Sequence, residues 1–327
     1  MGMEPTYFRS SSYNSWSFCA ARYFLEYELN LPSDSNKAAD RGNIVHKALE
    51  LLAKKKFAIQ TKQSTFTEDE TETVFVTKSC SVKNALDFSF HHYTKTVPTP
   101  HLWEESDFEI CKELLNSALE LHNGAFNPLK RDIIYPEKYF DFQIEQPWAK
   151  LQNGEYLGVR GTLDLVCKFP NQKDVIELVD WKTGKQIDWA TGKEKDFTSL
   201  CDDPQLRMYH YALDKLYPQA KEIIVTIVYI KYKSVYSLPF SKDDIPKTED
   251  MLRKRFELIK NTQRPKLIKP DWRCSKLCHF EKNNWENSGK TICNFMKDEV
   301  LSIGLDRVIS KHKQENRGYT GGGKQAK

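Results

Sequence analysis

The chain has no apolar run long enough to cross a bilayer. Its longest β-rich apolar stretch, residues 223–230, falls far short of the roughly twenty residues a membrane helix needs. The opening MGMEPTYFRSSS holds no apolar core of the kind a secretory signal requires. Both absences point to a soluble, cytoplasmic protein. Neither charge sign dominates: 49 Lys and Arg stand against 45 Asp and Glu, and the net charge of +4 permits a nucleic-acid partner without demanding one. No GxxxxGK[ST] phosphate loop is present, so this chain carries no ATP-driven motor of that kind. No segment repeats. In a reducing compartment the eight cysteines do not form a disulfide framework, and those that cluster read first as metal ligands. A length of 327 residues is enough to bury a sizeable core.

What is present centres on residues 158–185, GVRGTLDLVCKFPNQKDVIELVDWKTGK. Residues 157–169 and 175–183 read as strands joined by a Pro170-Asn171-Gln172-Lys173 turn. Strand side chains alternate between faces. Ile176, Leu178, Asp180 and Lys182 therefore share one face, and Val175, Glu177, Val179 and Trp181 the other. On the first strand Asp164 falls with Thr162 and Val166. A carboxylate in an apolar strand is costly to bury uncompensated. Two on neighbouring strands raise each other's pKa unless a cation lies between them. A divalent metal would remove that conflict, and Lys182 could hold or polarise its water. An isolated Asp-x-Lys is common by chance, so the surroundings decide.

Those surroundings follow in order. Residues 11–30 predict a helix with Trp16, Cys19, Tyr23 and Tyr27 along one side. Residues 39–55 predict another, with His46 beside Val45, Leu49 and Leu52, a place where histidine is more often a core residue than a ligand. Residues 57–130 read as a variable helical insertion, weakly patterned to 102, with a short strand at 73–76 and an amphipathic helix over 104–124 closed by Gly124. A strand over 133–144 has Glu137 near its start. After the hairpin, 186–202 reads as loop, and Pro204 opens a helix at the first-turn position proline favours. Gln205 and Tyr209 share a face of it, while Arg207 and His210 point elsewhere, towards solvent or nucleic acid. Strands at 222–230 and 231–239, a helix over 244–260, a cysteine-bearing segment and a disordered basic tail over 316–327 complete the chain.

A helix with His46, a strand with Gly161-Thr162-Leu163-Asp164, a strand with Asp180-Trp181-Lys182 and a helix with Gln205-Leu206-Arg207-Met208-Tyr209 come in that order. The set resembles the PD-(D/E)xK nuclease superfamily, most of all the branch of RecB and AddB nuclease domains, CRISPR adaptation nucleases and their phage relatives. The resemblance covers about residues 11–295. It implies a single α/β domain over 1–315 with a restriction-endonuclease-like core, a central mixed β-sheet flanked by helices. It implies that His46, Asp164, Asp180 and the backbone carbonyl of Trp181 are metal ligands. Lys182 would position and activate the attacking water, and Gln205 and Tyr209 would support the site and contact the DNA backbone. Glu137 loosely matches an upstream acidic residue of some members. Hard oxygen ligands favour Mg²⁺ or Mn²⁺, and an imidazole tilts the preference towards Mn²⁺. Arg160, Lys185 and Arg207 would track phosphates, and aromatics on the helices would stack on bases.

The same branch often carries a [4Fe–4S] cluster held by one cysteine of the N-terminal helix and three near the C-terminus. Cys19, in SFCAARYFL, resembles the first, and Cys274, Cys278 and Cys293 supply the rest, so that residues 265–300 would pack on 11–30. The spacing C-x3-C-x14-C is wider than the branch's usual C-x2-C-x5-C, with Ser288-Gly289 marking an inserted loop. Four thiolates suit zinc as well as an iron–sulfur cluster. Cys80, Cys111, Cys167 and Cys201 are scattered and read as ordinary thiols. The implied function is metal-dependent hydrolysis of DNA, as an exonuclease on ends or single strands, in recombination, repair or phage DNA processing. A helicase or recombination protein is the expected partner. A structure-specific endonuclease and a catalytically silent DNA-binding subunit are the alternatives.

Overall fold

The computed structural model describes residues 3–63, 70–99, 101–172, 174–265 and 272–314. The basic tail over 316–327 and residues 266–271 of the cysteine-bearing segment lie outside them. A two-residue strand β1 (Tyr7–Phe8) leads into helix α1 (Ser10–Phe18). The helix expected over 11–30 then breaks at Cys19, whose φ of −167° is extended; α2 (Ala20–Tyr23) and a π-helical turn (Phe24–Glu28) follow. Near the break the Ser17 hydroxyl donates to the Tyr13 carbonyl at 3.5 Å, the local serine bonding that competes with helix continuation.

Helix α3 (Lys37–Thr61) is capped by Asn36, whose side chain accepts from the Ala39 N–H. Against it pack α4 (Glu70–Lys78), α5 (Val82–Thr96) and α6 (Glu105–Gly124). Helix α4 replaces the strand expected at 73–76. Its β-branched residues read as strand, but Glu72 and Val76, four apart, both turn inward. The regular part of α6 ends earlier than expected: Leu121 leaves helical geometry, and His122, Asn123 and Gly124 follow with φ of +48°, +58° and +81°.

Among the described residues six strands form one sheet. They are β1, β2 (Ile133–Gln143), β3 (Gly158–Lys168), β4 (Val175–Lys182), β5 (Glu222–Tyr229) and β6 (Ser234–Phe240), in the order β1-β3-β4-β5-β6 with β2 also on β3. The β1–β3 and β4–β5 pairs are parallel and the others antiparallel, so the sheet is mixed. A short helix α7 (Phe197–Cys201) lies in the segment expected to be loop, and α8 (Pro204–Leu216) carries the chain from β4 to β5. Helix α9 (Ile245–Lys260) follows β6. The C-terminal part holds α10 (Trp272–Leu277), α11 (His279–Lys282), α12 (Ile292–Ile303) and α13 (Leu305–His312).

Each face of the sheet is buried. Leu163, Leu178 and Val225 join Leu206, Leu213 and Phe256 in one core; Leu165, Val179 and Val228 join Leu49, Leu52 and Leu115 in the other. The fold is therefore α/β, a mixed central sheet flanked by helices. Among the described residues no helix is long and apolar enough to cross a membrane.

Candidate active site

The site is made where two strands part. Strands β3 and β4 pair only from Leu165–Val179 to Lys168–Ile176. Earlier in β3, Gly158 and Val159 pair with β1 instead. Asp164 and Asp180 stand just past the last rung, at the mouth of this fork. Trp181 N–H turns to a side chain there, donating to Asp164 Oδ2 at 3.1 Å.

The facing of β3 changes at the same point. Val159 and Leu163 belong to one core, Leu165 and Cys167 to the other, and Val166 to the first again. Asp164 consequently does not share a face with Val166 as simple alternation predicts. It opens with Thr162 towards a groove. Across from it, between the pairs Pro136–Leu165 and Lys138–Leu163, Glu137 holds a φ of +52°, rare for a residue with a side chain.

Helix α3 brings His46 to this fork, with Nδ1 3.3 Å from Asp164 Oδ2. It comes so near because Gly42 has no side chain. A Cβ there would lie 2.5 Å from Thr183 Oγ1, just after β4. From β4, Lys182 Nζ stands 2.7 Å from Asp180 Oδ2 and donates to Oδ1 at 3.1 Å. From α8, Gln205 Nε2 donates to the Tyr209 hydroxyl at 2.7 Å. Asp203 caps that helix by accepting from the Gln205 and Leu206 N–H groups.

The electrostatics push the two acids apart. Asp180 is 1% exposed. Burial, with the neighbouring Asp164 charge, raises its pKa to about 6 against the pull of Lys182. Burial would raise Asp164 as well, but His46, Lys182 and the Trp181 N–H outweigh it and hold that carboxyl below its ordinary value. His46 and Lys182 both lose by burial, yet the two carboxylates raise them. Burial, then the charges of Asp180 and Asp164, put the Tyr209 phenol well above its usual range. His46, Asp164, Trp181, Gln205 and Tyr209 line a groove of about 2300 Å³, with Asp180 sealed beneath.

A model of the PD-(D/E)XK nuclease superfamily matches residues 10–282. The chain belongs to that superfamily. Among solved structures it is similar to a Eubacterium rectale protein provisionally designated an exonuclease. Identity is 12% and the TM-score 0.44, over 89% of this chain and 92% of that one. No match was found among curated proteins. Membership in a nuclease superfamily implies a nucleic-acid substrate, phosphodiester chemistry and a divalent metal.

Among the described residues of this PD-(D/E)XK chain, no three His, Cys, Asp or Glu side chains already form a metal-ligand group. The Asp180 carboxylate faces Lys182, and that of Asp164 faces His46 and the Trp181 N–H. The donor set nevertheless suits a hard divalent cation. Asp180 Oδ2 is buried, with the Lys182 ammonium 2.7 Å away, and such an oxygen is a hard donor of the kind a divalent cation takes.

Of the residues expected to meet phosphates, Arg160 and Lys185 line the groove. Arg160 is held by Asp141 at 2.8 Å. Arg207 does not join them. It is 8% exposed, and its Nη2 lies 2.6 Å from Asp202 Oδ1. His210 is likewise buried, stacked on the Phe240 ring at 5.0 Å. The expectation that these two face solvent fails because α8 buries every residue from Leu206 to Leu213.

The break at Cys19 turns its thiol into a small cluster with Phe18 and Ala21, against which Leu277 and Cys293 pack. Burial raises the Cys293 thiol, and Cys19, Cys278 and Cys274 stand near enough to add to it. The wide spacing before Cys293 is taken up by a small excursion, bridged at Asn284–Thr291 and turning at Gly289 with φ +66°. Cys80, Cys111 and Cys167 are buried and Cys201 half-buried, all free thiols.

Sequence reading missed the groove wall opposite the fork. Lys47 and Lys54 of α3 both bind Glu50 and Glu72, tying α4 to α3. The i, i+4 spacing of Glu50 and Lys54 was the available signal.

Proposed function

We propose that this PD-(D/E)XK protein is a divalent-metal-dependent DNA exonuclease acting on ends or single strands in recombination, repair or phage DNA processing. The observation that carries the reading is the meeting of Asp164, Asp180 and Lys182 at the β3–β4 fork. His46, Asp164, Asp180 and the Trp181 carbonyl are the groups that would hold Mg²⁺ or Mn²⁺. When bound, such an ion supplies Lewis-acid polarisation of the phosphodiester and a lowered water pKa. The remaining work falls to the chain. Lys182, anchored on Asp180, donates from Nζ to an oxygen entering beside it. The Tyr209 hydroxyl, fixed by Gln205 and kept protonated by its surroundings, is a neutral donor towards a phosphate oxygen. Arg160 and Lys185 hold flanking phosphates at the groove rim.

Asp180→Asn and Lys182→Ala should each abolish cleavage of end-labelled DNA in Mg²⁺ or Mn²⁺, with circular dichroism spectra unchanged. Full activity in either purified variant refutes the assignment. Closed-circular DNA separates the modes: an exonuclease leaves circles intact, and nicking assigns an endonuclease. Cleavage by no metal at all would leave the DNA-binding subunit reading.

For the four cysteines the proposal is a [4Fe–4S] cluster on Cys19, Cys274, Cys278 and Cys293. Its support is the order of the four cysteines in the chain, together with the packing of Cys293 against Cys19. Brown purified protein with matching iron and sulfide favours the cluster, and colourless protein with stoichiometric zinc assigns zinc.

A further inference from the structure

Of the exposed aromatic rings that line the groove, Trp189 lies in a turn and Tyr135 and Tyr139 on a strand, rather than on helices. Tyr135 and Tyr139 are 41% and 53% exposed. Four apart on β2, both are exposed, while Pro136 and Phe140 next to them are buried. Strand β2 pairs only with β3, so its other edge has no strand partner among the described residues. Each end of this row carries cations at ring faces. Lys138 Nζ lies 4.4 Å from the Tyr135 ring centre, and the Arg160 guanidinium lies 4.6 Å from that of Tyr7 on β1. The Tyr139 hydroxyl donates to Asp141 at 3.4 Å, and Arg160 pairs with the same carboxylate. Tyr135, Lys138, Tyr139, Arg160 and Tyr7 all line the groove into which Asp164 opens.

A single exposed tyrosine needs no explanation. A row of rings alternating with cations, along a wall that ends at acidic residues suited to phosphodiester chemistry, is a different pattern. Duplex DNA offers a protein its phosphates and its base edges, with the base faces stacked away. Only unpaired bases can lay a face on Tyr135 or Tyr139, and such stacking tolerates any sequence. The flexible stem of Lys138 lets its ammonium move from ring to phosphate, and Arg160 is already turned to the groove.

We propose that this wall is a track for single-stranded DNA, with bases stacked on Tyr135 and Tyr139 and phosphates held by Lys138 and Arg160, leading one strand to the β3–β4 fork. The inference rests on the nuclease reading for its direction but is tested apart from it. Anisotropy of fluorescein-labelled oligo-dT and of a blunt duplex is measured with the full chain in EDTA, where no cleavage occurs. Oligo-dT should bind tighter than duplex. Tyr135→Ala and Tyr139→Ala should each weaken oligo-dT binding by roughly five- to a hundredfold, with duplex binding little changed. Tyr135→Phe and Tyr139→Phe should bind as the wild type does, because the ring is what stacks. The track is overturned if the alanine variants bind oligo-dT normally, if they lose duplex binding equally, or if the Phe variants fail as the alanines do. Binding is read in EDTA and cleavage separately in Mg²⁺ or Mn²⁺, so a failed track and a failed catalytic assignment give different results.

Discussion

Asp180 and His210 are each 1% exposed, and the fold treats their charges in opposite ways. Asp180 has Lys182 beside it. His210 has a Phe240 ring against its face and an Nδ1 without a hydrogen-bond partner, so burial lowers its pKa below the ordinary 6.5. The unfolded chain therefore binds a proton at His210 more readily than the folded one. Its contribution to stability is whole above 6.5 and is lost as pH falls below that value. His210→Phe should flatten the fall in Tm between about pH 7 and about pH 5. An unchanged slope would show that His210 does not titrate against the fold. Asp180 and Lys182 were legible because β4 keeps strict alternation. Asp164 was legible as a residue but not in its facing, since nothing in Leu163-Asp164-Leu165 announces the change of face. Arg207 and His210 misled because polar side chains on a helix read as surface, and only the packing of α8 between sheet and α9 shows otherwise.

At the scale of elements, α3 lies against the end of β4 through a contact that permits no side chain at Gly42. Alanine in a helix interior is ordinarily about 1 kcal/mol better than glycine. Here its Cβ would sit 2.5 Å from Thr183 Oγ1, so that hydroxyl must turn aside or α3 must shift, and a shift carries His46 from Asp164. Gly42→Ala should lower cleavage well below wild type, and Gly42→Ala with Thr183→Ala should recover most of it, because the colliding hydroxyl is gone. Equal loss in the single and double variants would show that the contact does not place His46. The existence of both elements was legible from helical and strand periods. Their angle was not, because a glycine one turn from a histidine has no meaning until the strand beneath it is known. The broken helix at Cys19 was hidden for a similar reason: its aromatic spacing fits one continuous helix, while its serines favour local bonds.

Over the described residues, 13–34 are fastened to 255–314. Gln314 N–H donates to the Leu29 carbonyl at 2.9 Å, the His279 ring meets Asp34, and Arg255 donates to the Tyr13 carbonyl at 2.6 Å. Leu277 and Cys293 pack on Phe18 and Cys19 in the same region. Periodicity could not show this, since it relates neighbours in sequence, and here the partners are separated by nearly the whole chain. Only the order of motifs and cysteines hinted at it. Closing so long a loop costs little more than closing a short one, because the entropy grows with the logarithm of its length. Small polar contacts of this kind each contribute on the order of 1 kcal/mol, so a ligated metal would be the dominant fastening. Cys19→Ser should therefore lower the protein's metal content and Tm together. It should speed amide exchange in α10–α12, while α3, packed in the core that the C-terminal helices do not share, keeps its protection. If Cys19→Ser retains the wild-type metal content and Tm, the thiols hold no common ion, and the ends are joined by packing and hydrogen bonds alone.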